Sequence, residues 1–275
     1  MKVLFCGDVM GKPGRQVLEA NIKELRRRLG LDFVIANGEN AAHGFGITAK
    51  QCDGFYEAGV DAITTGNHVW DQRDILPAIT SDKRLLRPLN YPERTPGRGS
   101  TVLEAGNGGK VLLISVITRL YMGLADDPFG AVETVLGQYR LGHNVDAIIL
   151  DVHGEATSEK MAMGHAFDGR VSLIVGTHTH VPTADTRILA GGTGYQTDIG
   201  MCGVYDSVIG MKKETAIERF VTKRPGDRLS PADGQATLCA VYADIDDATG
   251  LARRVAPLVQ GGDLETRWPV PEEPS

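Results

Sequence analysis

Residues 2–30 read KVLFCGDVMGKPGRQVLEANIKELRRRLG, and the fold class follows from how this stretch divides. Lys2–Cys6 is a short apolar run that predicts a strand. From Arg15 to Leu29, Leu18, Ile22, Leu25 and Leu29 recur at helical spacing, and Gly30 is placed to end the helix. The same unit recurs downstream. Phe33–Ala36 predicts a strand, and Thr48 with Gln51 three residues on forms a capping-box pattern that opens a helix. Val60–Thr65 and Val111–Ile117 read as strands, and Asp127-Pro128 as the cap and first turn of a helix. Ala147–Leu150 is a strand, Glu155–Phe167 a helix and Val171–Val175 another strand. Strands alternating with helices of this length predict an α/β layered fold. After about residue 184 the helical signal fades. Thr237–Ile245 and Leu251–Val259 then predict a hairpin or meander, so the sheet is expected to be mixed or doubled. No linker or repeat divides the chain, which predicts a single domain over 1–265 and a loose tail over 266–275.

Composition excludes several classes. A formal net charge of -6 argues against duplex nucleic acid and anionic membranes as partners, because both require a basic face. No stretch approaches the ~20 apolar residues of a membrane span. The first residues hold too few apolar side chains for a signal segment, so the expected setting is cytoplasmic. Cys6, Cys52, Cys202 and Cys239 are far apart and form no C-x-x-C pair. They are expected to be reduced and mostly in the core.

Function is written at the strand ends. The first strand ends in Gly7-Asp8, the second in Asn37-Gly38-Glu39-Asn40 and the third in Gly66-Asn67-His68. The strand at Ala147–Leu150 runs into Asp151-Val152-His153, and that at Val171–Val175 into Gly176-Thr177-His178-Thr179-His180. Ligands of open α/β sheets bind beyond the carboxyl ends of strands. Five strands are therefore expected to bring Asp8, Glu39, Asn40, Asn67, His68, His153, His178 and His180 to one edge. His178 and His180 are two apart, and on an extended segment both would face one side. Taken singly these residues have plainer readings: a strand-end Asp is more often a turn former or cap, and a lone His a satisfied core residue. Together they make a set of hard and borderline donors suited to Mn, Fe or Zn. Eight donors are more than one ion needs. Two metals roughly 3.5–4 Å apart would activate a water and clamp the oxygens of an in-line displacement at phosphorus.

The stretches GDVMGKPGR, NGENAAHGFGIT, TTGNHVWD, DVHGEATSEK and GTHTHVPTAD resemble, in order, the motifs of calcineurin-like metallophosphoesterases, and more closely their YmdB-type branch. The resemblance runs from residue 1 to about 260. It implies a four-layer αββα sandwich of two mixed β-sheets flanked by helices, with a dinuclear centre. By motif, Asp8 and His180 would hold one metal, Asn67, His153 and His178 the other, and Glu39 would bridge them. His68 would act as general acid or clamp the phosphate. The broad superfamily has Asp-x-His in its first motif where this chain has Met10, and a bridging Asp where it has Glu39. A thioether is a poor ligand for a hard metal, which leaves Asn40 to complete the first site. Val69 stands where many relatives place an acidic residue.

The resemblance implies a phosphodiesterase that opens 2′,3′-cyclic nucleotides with a hydroxide held between two metals, iron first, manganese or zinc otherwise, and a homo-oligomeric state. Two other readings stay open: a phosphomonoesterase or nucleotidase on the same centre, and a metal-binding regulatory protein with little turnover. Lys12, Arg15 and the Gly11–Gly14 turn, like His43, read better as solvated surface than as phosphate binders. The loops at 86–108 and 118–130 are where selectivity is expected.

Overall fold

The computed structural model describes residues 1–224 and 226–269. The chain runs β1 (Lys2–Val9), α1 (Gly11–Leu29), β2 (Phe33–Asn37), α2 (Ala49–Ala58), β3 (Ala62–Thr64), α3 (Ile75–Ser81) and β4 (Leu85–Leu86). It continues through β5 (Ser100–Glu104), β6 (Lys110–Ile117), α4 (Pro128–Leu136), β7 (Ala147–His153), α5 (Thr157–Ala166) and β8 (Leu173–Thr177). The last part holds β9 (Arg187–Ile188), β10 (Gly194–Gln196), β11 (Met201–Cys202), α6 (Lys213–Thr222), β12 (Leu238–Ile245) and β13 (Ala252–Gln260).

These strands form two mixed sheets. One has the order β13-β12-β1-β2-β3-β4 with β11 beside β1, and the other the order β5-β6-β7-β8-β10-β9. β1 to β4 are parallel, and so are β6, β7, β8 and β10; antiparallel strands close every edge but that of β4. The five strands expected to carry ligands are therefore divided, against the single edge that the open-sheet rule predicts. β1, β2 and β3 lie in one sheet, and β7 and β8 in the other.

The period-two alternation of each strand fixes the layers. Val3, Phe5, Phe33 and Ile35 of the first sheet meet Val111, Leu113, Ile149, Leu173 and Val175 of the second in a buried inner layer. Leu4, Cys6, Val34 and Ala36 face the other way, onto Leu18, Ile22 and Leu25 of α1 and Phe55 of α2. Leu112, Ile114, Ile148 and Leu150 face outward onto Val132 of α4, Met163 of α5 and Phe167, which caps α5. The result is the αββα sandwich. At the carboxyl end of the inner layer the same parity changes from apolar to polar: Asn37, Ser115, Asp151 and Thr177 are all buried there. That polar plug is the floor of the site.

Local signals behave as their chemistry dictates. Thr48 and Gln51 make the reciprocal capping box, Asp127 accepts from the Phe129 and Gly130 amides, and Gly30 caps α1 at φ 61°. The structure extends β1 to Val9 and starts α1 at Gly11, so Asp8 sits within the strand, not after it. Helix α6 lies in the part of the chain where no helix was expected. Of the tail expected over 266–275, residues 270–275 lie outside the described residues. No helix among the described residues is long and apolar enough to cross a membrane.

Candidate metal centre and active site

Two carboxylates are held in the same way. The β1–β2 register shifts between Cys6 and Asp8, and the Asp8 amide donates to Gly200 O at 3.2 Å. This leaves the Asp8 side chain fully buried, with Oδ2 accepting from the His178 amide at 3.1 Å. Glu39 turns off the end of β2; its own amide donates to Asn37 Oδ1 at 3.0 Å, and its Oε2 accepts from the His68 amide at 3.1 Å. Each carboxylate thus spends one oxygen on a backbone amide. The other oxygen, Asp8 Oδ1 or Glu39 Oε1, is buried without a hydrogen-bond partner. Such orphans cost about 1–3 kcal/mol each and call for a cation or a proton.

Each orphan faces a gap lined by lone pairs. In the first gap, Thr177 gives its hydroxyl hydrogen to Asp151 at 2.8 Å, so its oxygen accepts from His153 Nδ1–H at 2.9 Å. Nε2 of His153 then points inward, carrying a proton toward Glu39 until a cation takes its place. It meets Glu39 Oε1 at 3.0 Å, Asn67 Oδ1 at 3.1 Å and His178 Nδ1 at 3.2 Å. Gly66 makes room for this packing, since a Cβ there would collide with His153 Nε2 and Glu39 Oε2.

The second gap is built the same way. Asn40 Nδ2 donates to Gly44 O at 2.9 Å, which turns Oδ1 inward, and His180 Nδ1–H donates to Ile209 O at 2.7 Å, which leaves Nε2 as a lone pair. His180 Nε2 stands 3.2 Å from Asn40 Oδ1 and 4.0 Å from the Asp8 Oδ1 orphan. Lone pairs this close with no hydrogen between them repel, and a cation resolves the repulsion. The donor set contains carboxylate, amide and imidazole groups and no thiolate, which fits a divalent ion of the Mn, Fe or Zn kind. Ligand atoms of Glu39, His153 and His178 all lie within 4.8 Å of one another.

The two histidines of H-x-H do not lie on an extended segment. His178 has φ 97° and His180 φ 65°, both left-handed, and they reach into different gaps. The conformation is held by buried groups that sequence reading missed. Lys160 donates to Thr177 O at 2.7 Å and to Asp198 Oδ2 at 2.8 Å; Asp198 also accepts from the amides of Thr179 and Gly200. Both members of the ion pair are 1% exposed. No motif marks them, because their roles depend on contacts made across sequence separations that spacing does not reveal.

Burial pushes the site groups toward their neutral forms, and the exceptions locate the charge. Burial raises Asp8 well above the usual carboxylate range, with His153 only partly opposing it. Burial also lowers His180, and it lowers His178 to about 3 with help from the charge on His153. Against its own burial, His153 is held up to about 9 by Glu39 and, more weakly, by Asp8 and Asp151. Glu39, likewise against burial, is held low by His153 and His68. A cation entering the first gap therefore displaces a proton from His153.

His68 stands at the mouth of this arrangement. Its Nδ1 lies 2.8 Å from Asp71 Oδ2, and its ring meets Phe45 edge-on at 5.1 Å. The carboxylate at this histidine thus comes from Asp71, while Val69 is fully buried in the core. The i, i+3 spacing of His68 and Asp71 was the available signal. Glu39, Asn40, His68, His178 and His180 line one cavity of about 480 Å³, with Glu155 at 3.4 Å from His178 Nε2. Lys12 and His43 are exposed, and Arg15 donates to Ala41 O, so this basic turn is surface and scaffold.

A family model described as YmdB-like protein matches residues 4–258. A 2′,3′-cyclic-nucleotide 2′-phosphodiesterase of Bacillus subtilis is 44% identical over 263 residues, covering 96% of this chain and 98% of that one. The crystal structure of a hypothetical protein from Thermus thermophilus superposes with a TM-score of 0.89 at 42% identity, covering 96% of this chain and all of its own (100%). A structure described as a novel phosphatase from Mycoplasma pneumoniae gives 0.87 at 35%, covering 96% and 94%. Extent, identity and fold agree, and the chain belongs to the YmdB-like family.

Proposed function

We propose that this protein is a metal-dependent phosphodiesterase that opens 2′,3′-cyclic nucleotides to monophosphates. One observation carries the reading: two buried, donor-lined gaps, holding the Asp8 and Glu39 carboxylates, adjoin a cavity that Glu39, Asn40, His178 and His180 line together with His68. The activity named for the Bacillus relative supports the substrate class. Glu39, Asn67, His153 and His178 would hold one metal, and Asp8, Asn40 and His180 the other, with Glu39 as the bridge that the family resemblance implies. A bound metal pair supplies water activation and neutralises charge that builds on the phosphoryl oxygens.

The protein's own groups do the rest. The Glu39 and Asp8 carboxylates bring the negative charge that holds two cations, and their backbone hydrogen bonds fix them before substrate arrives. Thr177 and Ile209 set the imidazole tautomers of His153 and His180. His68, anchored through Nδ1 on Asp71, delivers a proton from Nε2 to the departing ribose oxygen.

Iron is our choice of native metal, manganese or zinc serving the same donors. We also propose a single domain over 1–265, a homo-oligomer and a cytoplasmic setting. The four buried, unpaired cysteines are compatible with reducing surroundings. The Mycoplasma structure's description as a phosphatase favours one second reading, a phosphomonoesterase on the same centre. Product analysis separates them. Mn-loaded protein is incubated with 2′,3′-cyclic AMP and with 3′-AMP, beside Asn67→Ala. Monophosphate that accumulates from wild type alone is the expected result. Free phosphate from 3′-AMP favours the second reading, and no product from protein holding two metals overturns both.

A further inference from the structure

The metal end accounts for only part of the 480 Å³ cavity. The remainder is walled by Phe45, Val208, Ile209, Met211, Phe220 and Leu229, none of which offers a side-chain hydrogen bond. Helix α6 supplies part of this wall from one face: Ala216, Arg219 and Phe220, at i, i+3 and i+4, all line the cavity. The helix belongs to the excursion 212–230, whose ends are pinned by the Met211↔Pro231 bridge and by the Lys212 amide donating to Ser230 O at 3.0 Å. Only Ala216 of α6 is buried, and Phe220 is 79% exposed. Phe220 is therefore not a core residue. It is a large aromatic surface held at the mouth of a polar site, with nothing in the inner layers to explain it.

Building on the phosphodiesterase reading above, we infer that this apolar annex is the base subsite, and that Phe220 is a specificity-determining residue on which the nucleobase stacks. A phosphate at the two gaps leaves a nucleoside's ring system to extend along the cavity. The wall it meets is apolar at Phe45, Met211 and Leu229 and aromatic at Phe220. An apolar wall selects by ring area and reads polar substituents weakly. Arg219 is the one charged side chain in the annex among the described residues, and its Nη2 is tied to Asp227 O at 3.3 Å. The subsite therefore accepts all four bases, purines ahead of pyrimidines, without a strict preference between adenine and guanine.

The test is steady-state kinetics of the Mn-loaded full chain on the four 2′,3′-cyclic nucleotides and on methyl ribofuranoside 2,3-cyclic phosphate, which carries no base. Stacking of one base predicts that kcat/KM for cyclic AMP exceeds that for the baseless ester by about 10- to 100-fold, mostly through KM. Phe220→Ala shrinks that ratio by about tenfold, and Phe220→Trp restores it. The exposed position makes either variant compatible with folding. A wild-type ratio near one, or a ratio that Phe220→Ala leaves in place, overturns the inference while the phosphodiesterase reading stands. If neither ester is hydrolysed, that reading falls, and calorimetric binding decides the subsite. Tighter binding of 3′-AMP than of ribose 3-phosphate, lost in Phe220→Ala, supports it, and equal affinities sink it.

Discussion

The two ends of the cavity are built on opposite principles. At the candidate metal end the donor side chains are largely buried, and their orientation is set by hydrogen bonds to backbone or to further buried groups. At the α6 end the wall is apolar, exposes Ile209 and Phe220 to solvent, and is held at the base of an excursion by the Met211↔Pro231 bridge and the Lys212–Ser230 hydrogen bond. The first end has one arrangement and little room for substitution. The second presents area without directional bonds. Chemistry that must place charge to within a fraction of an ångström belongs to the first, and tolerance of varied groups to the second.

Substitutions that leave one end intact test this contrast. The largest effect is expected at His68, where replacement by Ala lowers kcat by about 10²–10⁴ with metal content retained; full activity in metal-loaded His68→Ala would remove it from the chemistry. Next is the support beneath the metal end. Lys160→Met leaves Asp198 buried and uncompensated, which is expected to cost about 3–5 kcal/mol in denaturant unfolding. Adding Asp198→Leu should recover part of that loss, and no recovery would mean the pair is not the unit. A smaller effect comes from protons. His153 holds its proton up to about 9, so below that value a cation must displace it. Metal affinity should rise about tenfold per pH unit toward pH 9, with proton release on uptake in weakly buffered solution. Uptake that releases no proton at pH 7 would place the charge elsewhere. The smallest effect is expected at Val221, exposed on α6, where Ser should change stability by no more than about 0.5 kcal/mol. A larger loss would show that α6 is anchored like the metal end after all.

Much of the candidate metal end is legible in the sequence because its residues obey local rules. Asp8, Glu39, Asn67, His153 and His178 each follow or close a strand whose apolar run is visible, and the caps at Thr48, Asp127 and Gly30 are short-range chemistry. What was not legible needed three dimensions. That β7 and β8 pair in a different sheet from β1 depends on inner-face packing, which apolar runs alone do not assign. Lys160 reads as a helix surface residue until Asp198 is brought beneath it across 38 positions. The left-handed turns at His178 and His180 contradict the extended reading because Thr177, Asp198 and Ile209 override local preference. Helix α6 is not legible in the sequence, although Ala216 and Phe220 share a face, because Ala216 is its one buried residue and Phe220 faces the cavity, not the core.

The split of the ligands between the two sheets has a mechanical consequence. Asn67 and Glu39 hang from one layer and His153 and His178 from the other; Asp8 and Asn40 face His180 across the same seam. Each donor-lined gap is therefore a clasp whose halves belong to different slabs, and neither half can close it alone. A chain with only one slab folded has no site to offer, so loading with metal should report that the slabs have docked. By the same coupling, a cation bound on the seam resists their sliding apart. Even a cavity cut far below the site, between Phe5 and Ile149, should then loosen the clasp's grip.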